Sequence, residues 1–201
     1  MTWITKICFI FVVCVSTVGV SWSDGGPSYR GLIIRDVEQV TDLANKNKDY
    51  REAINRSVYG KIARIYNLDP LLLYSISLIA SEKSVKDGVM PWPYTLTIKG
   101  KKTFYENEGQ ARKALKEALS KGEKNIAIGL MQVNLAYHRY SLPEMLLEPF
   151  FNIAEGARLL KKAISSTENY HEGIGRYFTW SAIWSEKWGK KVLSQYKLLV
   201  Y

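Results

Sequence analysis

Between Asp69 and Ser81 runs Asp69-Pro70-Leu71-Leu72-Leu73-Tyr74-Ser75-Ile76-Ser77-Leu78-Ile79-Ala80-Ser81, a segment with no polar side when wound as a helix. Asp69 suits the N-cap, and Pro70 suits the first helical position, where no N–H has to be bonded. A helix apolar all round cannot rest on a surface and must be enclosed by other elements. The flanking sequence offers such elements. Leu32 to Leu43 and Ala53 to Tyr66 carry apolar residues at helical spacing. Glu108 to Leu119 does the same, with Gly122 as its stop. Glu144 to Glu148, Phe150 to Ile164, Glu172 to Tyr177 and Ala182 to about Leu199 also predict helix. Pro91-Trp92-Pro93 interrupts the helical pattern. Tyr94 to Ile98 and Lys102 to Tyr105, joined through Lys99-Gly100-Lys101, then predict a β-hairpin at about 94–105. The expected fold class is mainly α, with one small inserted hairpin.

The chain has 201 residues, 47% of them apolar and 23% charged, which excludes wholesale disorder and allows a sizeable core. Its first residues have a different character. Lys6 precedes the apolar run Ile7 to Val20, and Ser21-Trp22-Ser23 supplies small residues at a cleavage spacing. This predicts a secretory signal over 1–23, because the run falls short of the roughly 20 residues that span a bilayer. A leader and helix are expected over 24–50, and the main domain over 51–201. Both cysteines, Cys8 and Cys14, lie in the signal segment. After cleavage no disulfide, thiolate nucleophile or cysteine metal ligand remains. His138 and His171 stand far apart without partner ligands, so no metal and no cofactor are expected. The formal charge of +9 favours anionic partners. Export points this toward the periplasm or cell envelope and away from nucleic acid, with no stable membrane span after cleavage. Lysines 99, 101, 102, 113, 116, 121 and 124 gather around the hairpin and the next helix. They predict either attraction to an anionic wall polymer or secretion partner, or a plain solvated face.

Three segments resemble, in order, the soluble lytic transglycosylases, a lysozyme-like family. They are Leu73 to Ser81, then Gly129-Leu130-Met131-Gln132-Val133-Asn134, then Asn152-Ile153 with Gly156, Leu159-Leu160 and Gly175-Arg176-Tyr177. The segment Pro91-Trp92-Pro93-Tyr94-Thr95-Leu96 resembles the subgroup encoded by conjugative and integrating elements. The resemblance implies a lysozyme-like fold acting on peptidoglycan strands, in the service of a conjugation or secretion apparatus. In this family a protonated Glu cleaves the bond between N-acetylmuramic acid and N-acetylglucosamine. The sugar's own 6-hydroxyl attacks, giving a 1,6-anhydro product without a second carboxylate.

The same register places Ala80 where the family has its Glu. A methyl group can neither give nor take a proton. Three explanations stay open: an engineered Glu-to-Ala change, a natural loss that leaves a glycan-binding pseudoenzyme, or transfer of the role to Glu82. If the helix continues, Glu82 lies about 200° around it from Ala80 and faces away from the cleft. Only a bulge or an early end to the helix after Ala80 brings it round, and Gly88 with the charged run from Glu82 to Asp87 is compatible with such an end. The resemblance further implies that Ser81 bonds the acid or the substrate and that Gln132 fixes a sugar acetamide or hydroxyl. Gly129 allows close approach of backbone to ligand or helix. Asn134 either caps the next segment or touches sugar. Tyr177 either reaches the cleft or stays a core tyrosine with its hydroxyl at the rim. Met131 is expected in the core, and Trp92 is a candidate for stacking on a sugar ring.

Overall fold

A computed structural model describes residues 43–86 and 88–200. The expected signal segment, both cysteines and most of the expected Leu32–Leu43 helix lie outside the described residues. The described chain is mainly helical, with small antiparallel sheets. The elements in order are α1 (Leu43–Arg56), α2 (Val58–Tyr66), α3 (Pro70–Ser81), β1 (Glu82–Val85), β2 (Gly88–Pro91), β3 (Thr95–Ile98), β4 (Lys101–Phe104) and α4 (Glu108–Ser120). There follow β5 (Ile126–Ile128), β6 (Val133–Asn134), a short 3-10 helix (Pro143–Leu147), α5 (Pro149–Ile164), α6 (Tyr170–Gly175) and α7 (Ala182–Val200).

α3 is the enclosed helix that its sequence demands. Asp69 Oδ1 accepts the Leu71 N–H at 2.7 Å, Pro70 opens the first turn, and Leu72, Leu73 and Ile76 are at most 2% exposed. Each such side chain contributes on the order of 1.5–3 kcal/mol through burial. α1, α2, α7 and β2 pack around it, and Tyr74 meets Tyr50 and Tyr59 edge-on, with ring centroids 5.7 and 5.3 Å apart. Tyr50 belongs to α1, which runs across the boundary expected at residue 50.

The run from Ala53 to Tyr66 is two helices, not one. Ser57 takes an extended conformation, accepts the Tyr59 N–H at 3.1 Å and donates to Ile54 O at 2.6 Å. A serine that can cap the next helix competes with helix continuation, which apolar periodicity alone does not register. Ile65, expected on the apolar face, is 66% exposed.

The hairpin β3–β4 pairs Thr95 with Phe104 and Ile98 with Lys101. Lys99 and Gly100 both have positive φ, 53° and 80°, as a two-residue hairpin turn of the primed class requires. β5 and β6 extend it into a sheet of order β4-β3-β5-β6. A second, unexpected hairpin, β1–β2, begins directly after α3. α4 stops where Gly122 turns left-handed, at φ 74°. The expected Glu144–Glu148 helix is the 3-10 turn, and the last three helices start one or two residues from the expected places or coincide with them. α6 and α7 cross closely, because a Cβ on Gly175 would stand 1.6 Å from Ser185 O.

Candidate functional site

The C-terminal end of α3 meets the turn between β5 and β6, and a set of buried polar groups joins them. Gly129 and Gln132 in this turn have φ of 76° and 50°. The Gly129 N–H donates to Thr95 O at 2.8 Å. A Cβ on Gly129 would come within 2.4 Å of Asn152 Nδ2 and 2.8 Å of Leu146 O, so only glycine fits both the backbone and the space. Asn152 of α5 is 1% exposed and reads three backbone groups at once. Its Oδ1 accepts the Met131 N–H at 2.7 Å, and its Nδ2 donates to Ile128 O and Leu146 O, both at 2.8 Å.

Gln132 is held as firmly. Its Nδ-bearing counterpart is Asn152; Gln132 itself uses Nε2 to donate to Gly129 O at 2.8 Å and Thr95 O at 3.0 Å. Its Oε1 accepts from Thr97 Oγ1 at 2.6 Å. Both donors are spent, so a single acceptor position is left for any ligand. Ser81 is fully buried, with its Oγ 2.8 Å from Leu130 O and 3.0 Å from Ser77 O. Ser77 donates to Met131 Sδ at 3.0 Å, and the Tyr177 hydroxyl donates to Met131 O at 2.7 Å. Burial raises the Tyr177 pKa well above the ordinary tyrosine range, so this donor stays protonated.

Beside this clasp opens a cleft of about 770 Å³. Ala80, 7% exposed, lines it, as do Thr97, Lys102, Gln132, Asn134, Tyr137, His138, Lys162, Arg176, Tyr177, Trp180 and Trp188. Tyr137 and Trp180 are 81% and 66% exposed, with the Arg176 guanidinium 5.4 Å from the Trp180 ring centroid, while Trp188 stacks on Phe178 with centroids 4.9 Å apart. Lys102 donates through Nζ to Ala80 O at 2.6 Å. Partial burial holds its pKa below the ordinary lysine value, with Lys191 adding to the shift and Glu82 opposing it. Arg176 is committed to Glu172 and to Ser166. Asn134 accepts the Ala136 N–H at 2.8 Å and donates to Asn125 Oδ1 at 3.1 Å, so it braces the following loop at the cleft edge.

Among the described residues no Asp or Glu lines the cleft. Glu155, behind His138, accepts from Tyr140 at 2.5 Å and forms a two-point ion pair with Arg158. That pairing keeps its carboxyl below the usual range, the opposite of what a general acid at neutral pH requires. Burial lowers the His138 pKa in turn.

The structure brings Ala80, Gln132, Asn134 and Tyr177 to one cleft, whereas Ser81 and Gly129 sit behind it in the clasp. Glu82 is exposed and is not among the lining residues. The expected reason does not apply, because α3 ends at Ser81 and Glu82 already has extended geometry, opposite Pro91 in β1–β2. Trp92 is also away from the cleft. Its Nε1 donates to Tyr105 O at 2.6 Å, and Lys83 Nζ sits 3.8 Å from its ring centroid. Of the clustered lysines, Lys102 is the one that lines the cleft. Thr97, Tyr137, Trp180 and the organising role of Asn152 were not singled out from the sequence, and Lys102 was named there only as one of the clustered lysines. The one aromatic named from the sequence for stacking, Trp92, is not among the lining residues. Among the described residues no group of three or more His, Cys, Asp or Glu could hold a metal ion.

No family model, no curated protein and no solved structure matches the chain.

Proposed function

We propose that the chain is a lysozyme-like protein of the lytic transglycosylase type whose cleft receives peptidoglycan glycan strands and, with Ala80 in the acid position, holds them without cutting. The observation that carries this reading is the place of Ala80. Ala80 lines a cleft walled by Gln132, Tyr177 and exposed aromatic rings, and among the described residues no Asp or Glu lines that cleft. Aromatic faces such as Trp180 and Tyr137 suit the apolar faces of sugar rings, and Lys102 and Lys162 suit a strand bearing carboxylates. Without an acid the leaving oxygen gains no proton, so the 6-hydroxyl has nothing to displace. The protein then acts in the periplasm or cell envelope, beside a conjugation or secretion apparatus, as a strand-binding or scaffold component.

Purified sacculi incubated with the chain test this. Binding without release of anhydro-muropeptides is the expected result, and Ala80→Glu is expected to start release. Release by the unaltered chain that disappears in Glu82→Gln would assign the acid to Glu82 instead. A silent Ala80→Glu variant that still binds sacculi would make the protein a binder whose cleft has lost more than its acid.

A further inference from the structure

We propose that the solvent face of α7 is a docking surface for an anionic lipid bilayer. α7 turns Ser185, Gly189, Val192 and Leu199 into the fold. The opposite face presents Ile183 and Leu198, 69% and 72% exposed, and Trp184, 57% exposed, stands on its flank. Lys187, Lys190 and Lys197 share this face and are exposed as well, whereas Lys191 turns toward the cleft side, 5.0 Å from the Trp188 ring centroid. Ile183 and Leu198 are separated by roughly 22 Å along the axis at 1.5 Å per residue, so the apolar anchors stand at the two ends, with Lys187 and Lys190 between them and Lys197 beside Leu198. The acid of this helix, Glu186, is tied to Lys190 at 2.7 Å. Among the described residues neither Lys187 nor Lys197 is in an ion pair, so both are open to an external anion. Lys187 Nζ lies 4.7 Å from the Trp184 ring centroid, a pairing of ring and ammonium suited to the depth at which headgroups meet acyl chains.

The composition of this face selects the occupant. A hydrated polyanion such as a wall polymer would be met by the lysines alone and gains nothing from exposed Ile183 and Leu198. A second copy of the chain would set the same lysines against each other. An anionic bilayer takes both, with apolar side chains entering the interface and ammonium groups among the phosphates. Among the described residues no helix is long and apolar enough to cross a membrane, so α7 lies along the surface. This surface is independent of the glycan cleft, although Trp188 on the cleft side belongs to the same helix.

The test is flotation of the full chain with phosphatidylglycerol–phosphatidylcholine vesicles and with pure phosphatidylcholine vesicles, over a range of salt. Quenching of tryptophan fluorescence by brominated lipid is read in parallel. The apolar run Ile7 to Val20 is common to all variants, so the differences between them carry the result. Ile183→Ser with Leu198→Ser, and separately Lys187→Glu with Lys197→Glu, are expected to weaken partitioning onto anionic vesicles by about tenfold or more. Salt is expected to abolish the charge-dependent part, and Trp184→Phe to reduce quenching. All these positions are exposed, and an unchanged melting temperature verifies that the variants fold. Equal partitioning of parent and variants, or unaltered quenching in Trp184→Phe, overturns the proposal. So does tighter binding to a soluble polyanion that ignores Ile183→Ser, or a dimer disrupted by these substitutions.

Discussion

Asn152→Ala removes one side chain and disturbs three backbone groups that no water reaches. The Met131 N–H loses its acceptor, and Ile128 O and Leu146 O lose a donor. A buried N–H left without a partner costs roughly 1–3 kcal/mol, and each carbonyl adds less, because a second lone pair can already be in use. Together these losses come to about 3 kcal/mol, and a small cavity beside Gly129 adds to it. For a domain of this size that lowers the melting temperature by roughly 6–12 °C. Asn152→Asp, nearly the same in shape, keeps the acceptor but turns an anionic oxygen toward two carbonyls, and it is expected to cost at least as much. Urea unfolding followed by far-UV circular dichroism measures both variants. A loss below about 1 kcal/mol in Asn152→Ala would refute the claim that this side chain clamps the turn. So would an Asn152→Asp variant as stable as the parent. Because the clamped turn carries Met131 and Gln132 into the cleft, sacculus binding should weaken in a variant that still folds.

Gly129→Ala combines a left-handed backbone with a Cβ 2.8 Å from Leu146 O. It should destabilise by about 2–4 kcal/mol in the same unfolding assay. Tyr177→Phe loses the bond to Met131 O and should cost about 1 kcal/mol, with a change in the affinity for glycan fragments measured by calorimetry. Glu155 has its folded-state pKa depressed, chiefly by Arg158. It therefore contributes stability above the ordinary carboxylate pKa of about 4.3, and that contribution disappears as the pH falls through its lower folded value. Thermal melts from pH 7 to pH 3 should show a smaller acid loss in Glu155→Gln than in the parent.

Local signals account for much of the fold. The apolar run and its Asp69-Pro70 start define α3, and the Lys99-Gly100 turn defines β3–β4, because both are settled by residues a few positions apart. The break at Ser57 escaped because periodicity continues across it, although a capping serine was visible. The β1–β2 hairpin escaped because Glu82 to Val85 is charged and short, and its strand geometry depends on pairing with Gly88 to Pro91. At the site, the motif residues drew attention to the β5–β6 turn but not to the division of labour within it. Gln132, Ser81 and Gly129 are largely spent on holding α3, the sheet and α5 together. That division is a matter of hydrogen-bond partners up to 49 residues apart, and no local pattern encodes it.

By itself the sequence determined that an almost wholly apolar helix must be enclosed, where that helix starts, and that position 80 carries no proton donor. Tertiary structure decided that this alanine faces a cleft and that Glu82 leaves the helix for a strand. It also placed Lys102, Tyr137 and Trp180 around the cleft. Composition and spacing act over a few residues, whereas a cleft is made where distant segments stop short of touching, and only packing sets where that is.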